Sequence, residues 1–226
     1  MHVSEFFQQI QVLLLAHANS ENALPMRAYM RSQFEFLGIK TPMRRHLLKE
    51  TGKISVSPTE LLQLAQALWQ LPQREFHYVA IDLLAQHRKI LSLEHVAELL
   101  NLARQKAWWD SVDGLAAVIG DVLFAVHNKQ PHAQVCMDQA LQDSSMWIRR
   151  IAMTHQLGWR LQTDTLRLFS YAEQLAGEDE FFIRKAIGWA LRDYAKWNPD
   201  LVRKFIAMQA PRFSTLTVRE ALKNLT

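Results

Sequence analysis

The chain has 226 residues, 49% of them hydrophobic and 21% charged, which supplies a large core and excludes a disordered or fibrous polypeptide. A formal net charge of +4 with a sequence pI of about 9.3 permits an acidic partner without requiring one, so where the cations lie matters more than their sum. The single cysteine, Cys136, excludes an internal disulfide framework and suits a reducing interior, where plain packing is its simplest role.

The first segment, "MHVSEFFQQIQVLLLAHANSE", has no basic leader and no small-residue cleavage site, and its longest apolar run is too short to span a bilayer. It predicts a cytoplasmic protein without a membrane partner. Seven glycines and seven prolines leave few turns, and almost every segment between them follows a helical period. "SPTELLQLAQALWQ" opens with Ser57 before Pro58 and Glu60, where proline costs nothing in the first turn and the acid suits the dipole. "NPDLVRKF" repeats the device with Asn198 and Pro199.

From Ser57 the helices come in pairs with short loops, and the second helix of each pair opens with an aromatic: Phe76, Trp108 and Trp109, Trp147, then Phe182. The spacing is roughly 35 residues, the range of helical-hairpin repeats. The expected fold is all-α, a right-handed superhelical solenoid of such repeats with a concave basic groove. No linker interrupts it, so one domain is expected over 1–226, with 1–55 as an N-terminal helical cap and 56–226 as the repeats.

In "KAWWDSVDGLAAVIGDVL", residues Trp108, Val112, Leu115, Ile119, Val122, Leu123 and Val126 form the apolar stripe at about 100° per residue. Trp109 and Asp113 share a flank with Ala116 and Gly120, which leaves room for something to approach. Asp113 can also be a surface carboxylate paired with a neighbouring repeat. In "SSMWIRRIAMTHQLGW" the stripe is Ile148, Ile151, Ala152, His155 and Trp159, with Trp147, Arg150 and Thr154 opposite. Arg150 reads as one partner of a buried ion pair or as a phosphate clamp. In "FFIRKAIGWALRDYAKW" the stripe is Ile183, Ile187, Ala190, Leu191 and Tyr194, while Trp189 stands with Phe182, Lys185, Arg192 and Lys196. An indole among cations suits a surface that meets phosphate together with an apolar or cationic group, although packing under the adjacent repeat would also explain it.

The nine histidines show no H-E-x-x-H pattern, no paired cysteine spacing exists, and no G-x-x-x-x-G-K or nucleophile elbow is present. No metal and no cofactor are therefore expected, and chemistry would rest on carboxylate electrostatics.

Over nearly its full length the sequence resembles the DNA alkylation repair glycosylases of the AlkD type, built from HEAT-like repeats. The segments that carry the resemblance are "MRAYM", "FLGIKTPMRR", "LPQREFHYVA", "KAWWDSVDGL", "MWIRR", "EFFIRKAIGWALRDYAKWNPD" and "REALK". The resemblance implies an enzyme that hydrolyses the N-glycosidic bond of positively charged alkylated purines, such as N3-methyladenine and N7-methylguanine, in duplex DNA. It further implies that the damaged base is not flipped into a tight pocket, and that the protein acts as a monomer. Asp113 then corresponds to the catalytic carboxylate, with Trp109 and Trp189 as aromatic walls at the damaged nucleotide. Arg150, Tyr29 and Arg192 correspond to DNA-contacting residues, Lys185 and Arg149 lie beside them in the same motifs, and Arg44 and Arg45 would reach phosphates from the cap. A non-catalytic repeat module that binds DNA or a protein is the alternative from another class.

Overall fold

The computed structural model describes residues 2–130, 132–223 and 225. Among them the chain forms thirteen α-helices, three short 3-10 turns and no strand, so the all-α expectation holds. The helices fall into two compact units, Met1–Leu91 and Ser92–Thr226.

The first unit holds α1 (Val3–Ala16), α2 (Ser20–Tyr29), α3 (Thr41–Glu50), α4 (Pro58–Gln70) and α5 (Arg74–Gln86). It thus takes in the expected cap and also the first helical pair. At the start of α4 the Ser57 hydroxyl accepts from the Glu60 N–H at 3.3 Å while the Glu60 carboxylate accepts from the Ser57 N–H at 2.8 Å, a reciprocal cap with Pro58 at the first position. Phe6, Ile10 and Leu14 of α1 meet a core that includes Leu61, Leu64, Leu68 and Phe76. Inside the "REFH" segment Glu75 is fully buried, and its carboxylate accepts three consecutive backbone N–H groups, those of Leu37, Gly38 and Ile39, at 2.9–3.1 Å. Gly38 is required there: its φ is +87°, and a Cβ would lie 1.9 Å from the Asn19 carbonyl oxygen.

The second unit holds three helical pairs, α6 (Val96–Arg104) with α7 (Trp109–Phe124), α8 (Val135–Ala140) with α9 (Met146–Thr154) and α10 (Thr165–Gln174) with α11 (Phe181–Ala195), followed by α12 (Pro199–Gln209) and α13 (Thr215–Leu222), which both pack against α11. Asn198 caps α12 by accepting from the Leu201 N–H at 3.2 Å, as its sequence signature predicts. The apolar stripes of α7, α9 and α11 are buried: Val112, Leu115, Ile119 and Leu123, Ile148, Ile151 and Ala152, and Ile183, Ile187 and Leu191 are at most 1% exposed.

Three features of the expected helix faces change. Trp108 is the extended residue before α7 and is only half-buried, so it does not continue the core stripe. Ala116 and Gly120 do not leave open room, because α9 occupies it: a Cβ on Gly120 would stand 2.1 Å from the His155 carbonyl oxygen. Small residues here let two helices approach closely. The opposite face of α9 is also covered, since Arg150 and Thr154 are buried between neighbouring second helices and Thr154 Oγ1 donates to the Arg150 carbonyl at 2.8 Å.

Candidate functional site

The fixed point of the second unit is Arg150. Its Nε donates to Asp113 Oδ1 at 2.7 Å and its Nη2 to Oδ2 at 2.8 Å, a two-pronged pair in which Arg150 is 6% and Asp113 18% exposed. The remaining terminal nitrogen, Nη1, donates to the Phe182 carbonyl at 2.6 Å. Three successive second helices, α7, α9 and the N-terminal turn of α11, are joined through one guanidinium. The guanidinium carbon also lies 6.0 Å from the ring centroids of both Phe182 and Trp189, within the range of cation–π attraction. Of the two readings that the sequence leaves open for Arg150, the geometry is that of the buried ion pair.

Trp109 is the first residue of α7 and Asp113 stands one turn later, so the half-buried indole and the carboxylate are neighbours along the same side of the helix. Burial pushes the Asp113 carboxyl above its ordinary value, while the Arg150 hydrogen bonds and charge oppose that rise. Behind the pair, Trp108, Trp147 and Phe182 form an aromatic cluster with centroid separations of 5.6, 5.4 and 5.0 Å. The Trp108 indole nitrogen is buried there with no hydrogen-bond partner.

The cations near Trp189 have a partner that the sequence reading missed. Glu220 of α13, itself nearly buried, accepts from Arg192 Nη1 at 2.6 Å and meets Lys185 Nζ at 3.0 Å. These contacts, Arg192 first and then Lys185, hold its carboxyl down to about 2. Arg149 points elsewhere: its Nε and Nη2 donate to Glu178 at 2.6 and 2.7 Å and its Nη1 to the Asp143 and Ser144 carbonyls, which staples the loop before α9. Lys196 pairs with Asp193 at 2.7 Å. A signal for Glu220 exists in the sequence only as an acid within "REALK", with nothing to show which helix it would face.

Tyr29, Arg44 and Arg45 belong to the first unit. Tyr29 ends α2 and is 72% exposed. Arg44 and Arg45 share the Asp82 carboxylate at 3.2 Å each, but Arg44 is buried over the Tyr78 ring whereas Arg45 remains 62% exposed. Burial pushes the Arg44 guanidinium down from its ordinary value, opposed by Asp82. Among the described residues no three His, Cys, Asp or Glu side chains converge on a place that could hold a metal ion.

A family model described as DNA alkylation repair enzyme matches residues 10–225. In structure the chain is similar to an Enterococcus faecalis protein described as a predicted DNA alkylation repair enzyme, with 36% identity, a TM-score of 0.86, and coverage of 92% of this chain and 97% of that one. AlkD2 from Streptococcus mutans shares the fold at 19% identity and a TM-score of 0.59, covering 80% of this chain and 87% of that one. The alkylpurine DNA glycosylase AlkC of Pseudomonas fluorescens, bound to DNA containing an abasic site analog, aligns at 19% identity and a TM-score of 0.61, covering 99% of this chain and 62% of that one. No curated protein matches the chain.

Proposed function

The chain belongs to the DNA alkylation repair enzyme family, and on that premise we propose that it hydrolyses the N-glycosidic bond of positively charged N3- and N7-alkylated purines in duplex DNA. N3-methyladenine and N7-methylguanine are the simplest such substrates. The observation that carries the reading is the Asp113 carboxylate, held by two Arg150 hydrogen bonds yet still 18% exposed, with Trp109 one turn before it. A carboxylate kept in one orientation by a buried cation is what a site needs when positive charge develops nearby.

The chemistry follows from the leaving group. A purine alkylated at N3 or N7 is already a cation, so the electron pair of the breaking C1′–N bond neutralises it and no proton has to be donated. The deoxyribose then carries the positive charge as an oxocarbenium-like species. Asp113 stabilises that charge, water forms the new C1′–O bond, and its proton passes to the carboxylate or to solvent. The Trp109 and Trp189 faces add cation–π attraction of about 0.5–2 kcal/mol each. The selectivity expected is by charge: neutral lesions keep a stronger glycosidic bond and are poor substrates. In this reading the damaged base is not drawn into a closed pocket, and the protein works as a monomer.

The DNA-facing roles divide by what each side chain is already bonded to. Arg150 positions Asp113, and Arg149 holds the loop before its helix. Tyr29 and Arg45, both well exposed, are assigned to the DNA backbone, with Arg44 supporting Arg45 through Asp82. Lys185 and Arg192, joined through Glu220, face DNA beside Trp189 as one cluster with a single net positive charge. The similarity in fold to a glycosylase bound to abasic-site DNA supports base release as the reaction.

The deciding experiment measures free methylated bases released from methylated duplex DNA by the wild-type protein and by Asp113→Asn. Release by the wild type and none by the variant is expected. Absence of release by both, with DNA binding intact, would make the same surface a damage-binding module.

A further inference from the structure

Helix α11 carries Lys185, Trp189 and Arg192 at successive i, i+4 and i, i+3 intervals, which places the two cations on either side of the indole along one face. On α13, Ser214 caps the first turn by accepting from the Thr217 N–H at 3.1 Å. Thr217 Oγ1 donates to the Arg184 carbonyl at 3.2 Å, which ties the same turn to α11. The two helices meet at Gly188, the residue before Trp189. A Cβ there would lie 2.5 Å from the Glu220 Cβ and 3.0 Å from the Thr217 carbonyl oxygen, so only glycine lets α13 come this close. The approach delivers the Glu220 carboxylate between the two cations, 3.0 Å from Lys185 Nζ and 2.6 Å from Arg192 Nη1, and Arg192 Nη1 also donates to the Glu220 carbonyl at 3.1 Å. Arg150 lies near the Trp189 ring, and the two cations that Glu220 joins stand one turn before and one turn after Trp189 on the same face of α11.

We propose that Glu220 is a positioning residue for Trp189: it draws Lys185 and Arg192 onto one buried carboxylate, fixes the indole that stands between them on α11, and keeps the two cations from acting as independent phosphate contacts. The proposal rests on the glycosylase reading for what Trp189 does, but not for the charge it assigns to the groove. A carboxylate opposed to two cations leaves one net positive charge beside Trp189. Without it the same face would grip the backbone more tightly and hold the aromatic wall less well. DNA affinity and turnover are thus expected to move in opposite directions, which loss of folding alone does not produce.

The test is Glu220→Gln in the full chain, which keeps the side-chain length and the packing against Gly188. Binding to undamaged duplex DNA is measured across salt, together with single-turnover release of methylated bases. The expected result is a salt dependence steeper by about one unit, from one additional phosphate contact. Release from the bound complex is expected to slow by about tenfold, because the indole is no longer held in place. Adding Lys185→Gln to Glu220→Gln should return the salt slope to the wild-type value without restoring the rate. An unchanged slope with an unchanged rate overturns the proposal. So does a parallel loss of binding and rate that tracks a fall in Tm. If the wild type itself releases no base, the glycosylase reading fails, while the salt slopes still decide whether Glu220 restrains the two cations.

Discussion

Replacing Arg150 by methionine separates a phosphate-binding arginine from one that serves the carboxylate. The substitution keeps much of the aliphatic stem but removes three hydrogen bonds at 2.6–2.8 Å and leaves Asp113 unpaired. Breaking one partner of a buried ion pair costs about 3–5 kcal/mol. For a chain of this size each kcal/mol shifts Tm by roughly 2–4 °C, so a fall of about 6–20 °C is expected at pH 8. The loss depends on pH with a definite sign. Burial already pushes the Asp113 carboxyl above its ordinary value of 3.8, and without Arg150 nothing opposes that rise. The folded state then holds a proton that the unfolded state releases, so stability is regained as pH falls and lost as it rises through the folded value. Thermal melts of wild type and variant at pH 8 and pH 5 read this directly, with the smaller gap expected at pH 5. Base release should fall with the loss of an oriented carboxylate. An equal Tm loss at both pH values would refute the reasoning. An unchanged Tm with weaker DNA binding and a flatter salt dependence would refute it as well and return Arg150 to the phosphate backbone.

The double variant Asp113→Leu with Arg150→Met should recover most of the Tm lost by Arg150→Met alone while releasing no base, since an apolar pair needs no compensating charge. Gly120→Ala should destabilise by about 1–3 kcal/mol in urea unfolding, because its methyl group would meet the His155 carbonyl oxygen at 2.1 Å. His155 is fully buried among Ala152, Gln134, Trp159 and Tyr171, and burial pushes its imidazole down from 6.5 to about 4. A depressed histidine contributes stability above pH 6.5 that is lost as pH falls toward 4, so His155→Phe should flatten the acid limb of the Tm profile over that window. Ser57→Ala removes the reciprocal cap of α4 and should cost about 0.5–2 kcal/mol in a denaturant melt.

Local chemistry made a good part of this protein readable. The stripes of α7, α9 and α11, the caps at Ser57 and Asn198, and the aromatic in the first turn of α5, α7, α9 and α11 all rest on periodicity or on contacts a few residues apart. Those are set by helix geometry before any helix meets another. The flank of α7 was legible only in part. The pattern showed Trp109 and Asp113 off the stripe, yet it could not show that α9 fills the space over Ala116 and Gly120.

The same limit governs the charges. The sequence by itself determined an all-α chain, the helix starts, the buried stripes, and a set of aromatics and charges set apart from them. Only the tertiary structure decided how those charges are used. Asp113 meets Arg150, Arg149 meets Glu178, Arg44 and Arg45 share Asp82, and Lys185 with Arg192 closes on Glu220. These partners lie roughly one helical pair away along the chain, at the spacing of helical-hairpin repeats. Which of several acids at that distance comes within hydrogen-bond reach depends on helix rotation and close approach at glycines such as Gly120 and Gly188. That information belongs to packing between helices, so a cation that looks available for DNA in sequence can already be bound by a carboxylate in the fold.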